Sequence, residues 1–247
     1  QLYPTIAASK RLKAMGETVV WGGAYPSSVR VDEPYVDVAV RGEGEAFITG
    51  RPVTNLDEFQ PAWHLIDAAQ YGPSIHLVTS RGCPHRCAFC SSVPLYGRRW
   101  KCHSVKSVFE MLESYPMKVD EVEFRDDNFF TDVKRGVEIV NRLSLPWLAT
   151  VRANDLTEDF AHMIEVKPKA LSVGVESASQ RLLNLIQKDI SLRQVWKALD
   201  LARRHDLPLY LTFMVDLPTE TPQERKDTIR FARSLQEDYG FFCHVYS

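Results

Sequence analysis

The chain has 247 residues, room for one large domain or a domain and a half, and 45% of them are hydrophobic, as in a globular protein with a sizeable core. Its 30 basic and 32 acidic side chains leave a net charge of −2, which gives no electrostatic basis for bulk nucleic-acid binding. No apolar run approaches the roughly 18 residues of a membrane span, and the N-terminus lacks a charged region followed by an apolar signal core, so the reducing cytoplasm is the expected compartment.

Residues 5–15 read as a short helix, with Ile6, Leu12 and Met15 apolar and Gly16 as its stop. Residues 18–21 have the pattern of a buried strand, and Gly22 and Gly23 directly after it permit close approach of a ligand or of backbone. A second short strand at 36–40 leads into Arg41-Gly42-Glu43-Gly44-Glu45, after which little helix is expected. Helix, strand, glycine turn and strand are the closing units of a doubly wound sheet. Residues 55–71 read as a linker in which Pro61, Trp63, Leu65 and Ile66 could pack between domains; His64 has no other ligand nearby and reads as an ordinary histidine.

From residue 75 onward strand and helix alternate. Strands are expected at 75–78, 119–124, 147–151, 170–175, 209–215 and 241–246, with helices at 107–115, 133–143, 160–164, 182–186, 192–205 and 222–236 between them. Parallel strands joined by helices curl into a barrel whose ligands bind at the C-terminal strand ends. The polar words fall at those ends: Glu123 to Asn128, Arg152, Gly174-Val-Glu176-Ser177, and Met214-Val215-Asp216-Leu217.

Directly after the first of these strands, Cys83, Cys87 and Cys90 share one loop at C-x3-C-x2-C spacing. Three thiolates so placed can wrap a cubic iron–sulfur cluster and leave its fourth iron open to a small chelating molecule. Zinc would need a fourth ligand; His85 lies in the loop, but no second ligand pair of the zinc-ribbon kind accompanies it. A disulfide fits neither the odd count of five cysteines nor the lack of a secretory signal. Cys102 and Cys243 read as small packed side chains or stray thiols.

The word Cys83-Pro-His-Arg-Cys87-Ala-Phe89-Cys90 resembles the C-x3-C-x-Φ-C signature of radical S-adenosylmethionine enzymes, with Phe89 in the aromatic position. The words G-G-x-x-P-S at 22–27 and V-R-G-E-G-E at 40–45 resemble the closing part of the cobalamin-binding domain that precedes many of them. E-F-R-D-D-N-F-F at 123–130 and L-P-T-E-T at 217–221 are similar to the cobalamin-binding group that includes methyltransferases and ring-forming cyclases. Two departures stand out. The upstream D-x-H-x-x-G motif is absent, and Asp216 and Thr219 replace the glycines of the usual I-G-L-P-G-E-T form.

The resemblance implies an α/β chain: a C-terminal remnant of a doubly wound, Rossmann-like cobalamin-binding domain (1–50), a linker (51–74), and a partial (β/α)6 TIM-type barrel (75–247). It implies a 4Fe–4S cluster on Cys83, Cys87 and Cys90 whose open iron takes the amino and carboxylate groups of S-adenosyl-L-methionine. One-electron reduction, supplied by a flavodoxin or ferredoxin-type donor, then yields a 5′-deoxyadenosyl radical. The radical would serve cobalamin-dependent methylation of an unactivated centre in a small-molecule or peptide substrate, with radical rearrangement or oxidative cyclisation as the alternative. An electron-transfer or scaffold protein is a third reading, and three cysteines oppose it because electron carriers normally close all four positions.

By the same resemblance Phe89 is a candidate cofactor contact, Gly174, Glu176 and Ser177 are candidate contacts to the cofactor's ribose or methionine part, and Asp126 or Asp127 to its ammonium. Only one of the two aspartates is expected to point inward, and Asp127 or Asn128 could instead cap a helix. Glu176 could likewise cap the helix after it. Arg152 could pair the methionine carboxylate through its planar fork, or form a salt bridge to Asp155 or Glu176. Lys188 and Arg193 read as solvated charges of lower rank. Met214, Val215 and Leu217 would wall the adenine, and Glu220 would begin the next helix. In the N-terminal part Gly22, Gly23, Gly42, Glu43 and Gly44 are the candidate cobalamin contacts.

Overall fold

The computed structural model describes residues 2–247. The N-terminal part is small: helix α1 (Leu2–Ala14), then two two-residue strands, β1 (Val20–Trp21) and β2 (Val38–Ala39), paired in parallel around helix α2 (Ala24–Ser28). A six-residue helix α3 (Gly44–Thr49) does form, starting within residues 41–45, where little helix was expected to follow; Gly50, in the left-handed region at φ +70°, ends it. The linker consists of three single 3₁₀ turns, Leu56–Glu58, Trp63–Leu65 and Ala68–Gln70. Leu56 and Ala68 are buried, and the Trp63 indole packs edge-on against Tyr115 while donating to the Met111 carbonyl at 3.2 Å. Leu65, expected to pack, faces solvent instead.

The remainder runs β3 (Ser74–Leu77), β4 (Ser80–Arg81), α4 (Ser92–Tyr96), β5 (Lys101–Cys102), α5 (Val105–Glu113), β6 (Glu121–Phe124), α6 (Val133–Asn141), β7 (Trp147–Val151), α7 (Glu158–Met163), β8 (Ala170–Glu176), α8 (Gln180–Leu185), α9 (Leu192–Arg204), β9 (Leu209–Met214), α10 (Pro222–Tyr239) and β10 (Phe242–Tyr246). Six of these strands form one parallel sheet in the order β10-β9-β8-β7-β6-β3, the sequential order that right-handed βα crossovers produce. The antiparallel pair β4–β5, which brackets the cysteine loop, was not foreseen. Two-residue strands carry no periodicity to read.

Period-two burial explains the sheet. In β9, Leu209, Leu211 and Phe213 are buried on one face, where Phe213 meets Phe231 of α10; in β7 Trp147, Ala149 and Val151 do the same. The helices start where the sequence offers a cap. Ser104, Asp132, Thr157, Ser179, Ser191 and Thr221 each accept a hydrogen bond from a backbone N–H three residues on, opening α5 to α10 in turn. Each cap contributes about 1 kcal/mol.

The opposite sheet face lines a cavity of about 360 Å³ walled by Glu123, Arg125, Thr150, Ser172, Thr212 and Tyr246, among others. Residues of five successive strands share that one cavity, so the sheet curls around it as a partial barrel. Among the described residues, no helix is long and apolar enough to cross a membrane.

Candidate active site

The cysteine loop leaves the C-terminal end of β3 and is held from beneath by the end of β6. Asp126 accepts from the Thr79 N–H (3.1 Å), the Thr79 hydroxyl (3.0 Å) and the Ser80 hydroxyl. Burial pushes its carboxyl above the ordinary value, and these donors oppose the shift. Asp127 accepts from the Gly82 N–H (2.9 Å) and the Ser92 hydroxyl (3.0 Å), so one carboxylate ties both ends of the loop together. Gly82, at φ +83°, has no room for a side chain, because a Cβ would overlap the Arg99 carbonyl.

Both aspartates therefore turn toward the loop: Asp126 spends both oxygens on it and Asp127 its Oδ2, where one of the two was expected to meet an ammonium. Neither Asp127 nor Asn128 caps a helix through its side chain; Asp132 caps α6. Arg135 of α6 went unnoticed in the sequence, because a charged residue in a helix reads as solvated. It is buried, and it donates to the carbonyls of Thr79 (2.9 Å) and His103 (2.8 Å).

Each of the three sulfurs has a donor. Cys83 accepts from the His85 backbone N–H, Cys90 from the Ser92 backbone N–H, and the Cys87 Sγ lies 3.7 Å from the Arg152 Nη1. Burial raises the Cys83 and Cys90 thiols above their ordinary value, and these amide donors oppose the rise. Arg152 also donates to Asn154 Oδ1 (3.3 Å) and to the Lys188 carbonyl, and among the described residues it pairs with neither Asp155 nor Glu176. Three buried or half-buried thiols, free of disulfides and each met by an N–H, suit a cubic iron–sulfur cluster with one open corner. Cys102 and Cys243 lie elsewhere; burial lifts both thiols, Cys243 to about 11.

At the end of β8 a bulge at Val175 shifts the register, and Glu176 sits at φ +69°. Its side chain folds back over Gly174 to meet Lys188 Nζ at 2.7 Å, with only 7% and 10% of the two side chains exposed. A Cβ on Gly174 would strike both groups, so the glycine makes room for an ion pair. Lys188 is thus buried rather than solvated, and its ammonium also stands 5.8 Å from the centroid of the Phe89 ring. Ser177 is fully buried against the Thr228 hydroxyl (3.2 Å) and accepts from the Ser179 N–H, tying β8 to α10. Ser179, and not Glu176, caps α8. Arg193 is exposed, as expected.

Past β9, Val215 and Leu217 are buried and Met214 half-buried. Asp216 and Thr219, the two residues standing where the resembling motif carries glycine, both adopt left-handed backbone, φ +61° and +64°. Glu220 does not begin α10; its carboxylate accepts from the Asp216 N–H at 2.5 Å.

Of the N-terminal candidates, Gly22 lines a cleft of about 550 Å³ with Leu2, Thr5, Val20, Trp21 and Tyr25. Gly23, at φ +92°, precedes α2, and the Gly42 N–H donates to the Ser27 hydroxyl at 3.0 Å. Gly44 opens α3, and the Glu43 carboxylate is engaged by Arg81 and Lys101. One further group of metal-capable atoms exists among the described residues. Glu158, His162 and His205 bring theirs within 4.8 Å, with the Glu158 oxygens already held by Arg204 (2.5 Å) and His205 (2.7 Å).

A family model described as the radical SAM superfamily matches residues 77–232. An uncharacterised methyltransferase of Pyrococcus horikoshii is 32% identical over 98% of this chain and 63% of its own length. The anaerobic magnesium-protoporphyrin IX monomethyl ester cyclase of Rubrivivax gelatinosus is 24% identical over 87% of this chain and 47% of its own. The structure of the radical S-adenosylmethionine methyltransferase TsrM from Kitasatospora setae, solved with cobalamin and a [4Fe-4S] cluster, superposes with a TM-score of 0.71 at 15% identity, covering 93% of this chain and 57% of that one. The chain thus spans less than two thirds of each of these relatives.

Proposed function

This chain belongs to the radical SAM superfamily, and we propose that it carries the S-adenosylmethionine-cleaving core of an enzyme that methylates an unactivated substrate centre with the help of cobalamin. The observation that carries the reading is the cysteine loop: three sulfurs at the C-terminal mouth of a curled parallel sheet, each with an N–H donor, on a loop locked by buried Asp126 and by exposed Asp127. When bound, a 4Fe–4S cluster there supplies the electron that reductively opens the sulfonium of S-adenosylmethionine. Cys83, Cys87 and Cys90 would hold it, and the electron would come from a flavodoxin or ferredoxin-type donor.

The chain's own residues supply position and charge. Arg152 puts a cation beside the Cys87 sulfur, where the carboxylate of the methionyl part would be attracted, and Lys188, paired with Glu176, stands near the Phe89 ring of the same loop. The Glu176 carboxylate, held over the barrel mouth by Lys188 through one oxygen, and that of Asp127, which meets the loop through Oδ2, would be the acceptors for an ammonium or a ribose hydroxyl, since both oxygens of Asp126 are occupied. Half-buried Met214 at the end of β9 offers an apolar surface to adenine. The cavity of about 360 Å³ inside the sheet would receive the substrate and keep water from the radical carbon.

Methylation leads because the relative at 32% identity is named a methyltransferase. Cobalamin is supported by the TsrM likeness and by the cleft beside Gly22. Oxidative cyclisation is the second reading, favoured by the cyclase relative.

The test is anaerobic reconstitution with iron and sulfide, then reduction with S-adenosylmethionine in the presence and absence of methylcobalamin. The expected result is 5′-deoxyadenosine that vanishes in Cys87→Ala, with S-adenosylhomocysteine that depends on cobalamin. A loaded cluster that neither binds nor cleaves S-adenosylmethionine would reduce the chain to a cluster scaffold. Deoxyadenosine without cobalamin-dependent S-adenosylhomocysteine would favour the cyclase reading.

A further inference from the structure

The motif Arg41-Gly42-Glu43-Gly44-Glu45 resembles a cofactor-domain signature, yet its two carboxylates point away from the N-terminal cleft. Glu43 reaches Arg81 at 3.3 Å and also Lys101, and Glu45 reaches Arg81 at 2.7 Å. Arg81 and Lys101 face each other across the β4–β5 pair. Two like charges directly opposite on paired strands repel. A carboxylate between them converts the repulsion into a bridge.

The position of that bridge gives it a role. Arg81 is followed by Gly82, whose N–H is fixed by Asp127, and then by Cys83. The far end of the cysteine loop is held from the same side: α4, which begins two residues after Cys90, packs against α2, and a Cβ placed on Gly42 would stand 3.7 Å from the Leu95 carbonyl of α4. Lys101 additionally donates to the Val53 carbonyl at 2.8 Å, bringing in the linker. All four ion-pair side chains are mostly shielded, with exposures of 14% for Glu43, 29% for Glu45, 20% for Arg81 and 23% for Lys101. Shielded, bridged pairs of this kind are screened far less than surface pairs.

We propose that Glu43 and Glu45 are positioning residues for the cysteine loop, bracing β4–β5 so that Cys83 is held in register with Cys87 and Cys90. The N-terminal part would thereby act on the cluster through the Glu43–Arg81–Cys83 path, whatever it binds in its own cleft. This inference rests on the reading of the three cysteines as cluster ligands.

The test is the rate at which the reconstituted protein loses iron to a chelator under anaerobic conditions, read from the cluster's visible absorbance, together with the EPR spectrum of the reduced cluster. Wild type is compared with Glu43→Gln, Glu45→Gln and Lys101→Met. Disturbing the support of a metal ligand typically costs 10- to 100-fold in metal retention. Glu43→Gln and Lys101→Met are expected to lose iron about tenfold faster, with an altered EPR spectrum. Should Glu43→Gln fail to fold, Glu45→Gln, which removes only one contact of Arg81, carries the comparison. Iron loss at the wild-type rate in every folded variant would overturn the brace while leaving the cluster intact. A wild-type protein that takes up no cluster would overturn the reading of the cysteines, and the brace with it.

Discussion

Replacing Gly174 with alanine separates two explanations of why a glycine stands there. At an ordinary site whose backbone alanine can adopt, the change stabilises a protein by about 0.4–1 kcal/mol, because the unfolded chain becomes less flexible. Gly174 lies within β8 and is not among the residues with positive φ, so backbone conformation does not forbid alanine. The added Cβ would, however, collide with the Glu176 carboxylate and the Lys188 ammonium. Those two groups are 2.7 Å apart with only 7% and 10% of their side chains exposed, so solvent screens the pair little. Removing one partner of such a pair costs about 3–5 kcal/mol. Displacing both without deletion costs somewhat less, and after the backbone gain the net loss is about 2–3 kcal/mol. For a chain of this size that lowers Tm by about 4–12 °C. Thermal melts followed by circular dichroism measure it. In a Glu176→Gln, Lys188→Met background the alanine penalty should shrink, since no charge pair remains to break. An unchanged or higher Tm for Gly174→Ala in the wild-type background would refute the reasoning, and would return the glycine to the role of admitting a ligand.

Thr219→Gly should stabilise the chain by about 0.5–1 kcal/mol, because a β-branched residue in the left-handed region carries a strain of about 1–2 kcal/mol that glycine's extra flexibility offsets only in part. Asp216→Gly should gain less, since aspartate tolerates that region better and its pair with Arg225 is half exposed; a fall in the urea midpoint for Thr219→Gly would contradict the strain argument. Asp126→Asn should change how stability depends on acidity. Burial raises the Asp126 carboxyl in the folded state, so the native protein holds that proton more tightly than the unfolded chain, and wild type loses stability relative to the asparagine variant as pH rises from the ordinary carboxylate value through Asp126's own raised one. Chemical denaturation at several pH values measures this difference, and a wild-type advantage that grows with pH across that window would contradict the sign.

The sheet and its helices were legible because their determinants are local. Alternation at 147–151 or 209–214, and a hydroxyl or carboxylate three residues before a backbone N–H, are read within one stretch of chain. The spacing of the three cysteines is local in the same way. The charged residues around them were not legible, because each is satisfied by a partner remote in sequence. Asp126 meets Thr79 across 47 positions, Asp127 meets Gly82 across 45, and Lys101 meets Glu43 across 58. Residue type told what each group could accept or donate, and it left open which of many complementary groups the fold would bring. Lys188 shows the error that follows: read alone it is a solvated lysine, yet the bulge at Val175 turns Glu176 back to meet it.

A physical pattern runs through these long-range pairs. The carboxylates nearest the loop, Asp126 and Asp127, accept from its backbone and hydroxyl groups, and Glu43 and Glu45 accept from the cations of β4 and β5. One donor of Arg152, Nη1, and the amides of His85 and Ser92 are, by contrast, turned toward sulfur. Carboxylates hold the loop, and the groups that meet its sulfurs are positive or dipolar. A cluster ligated by three thiolates is anionic, and hydrogen bonds to its sulfurs favour the reduced, more negative state. The division of labour therefore favours an electron arriving at these sulfurs, and it does so with the loop already fixed by bonds that do not involve metal. Because four N–H or O–H donors of Thr79, Ser80 and Gly82 are satisfied by Asp126 and Asp127, removing the metal would leave the β6 anchor in place, and loss of the Arg152 contact would shift the cluster's behaviour without releasing the loop.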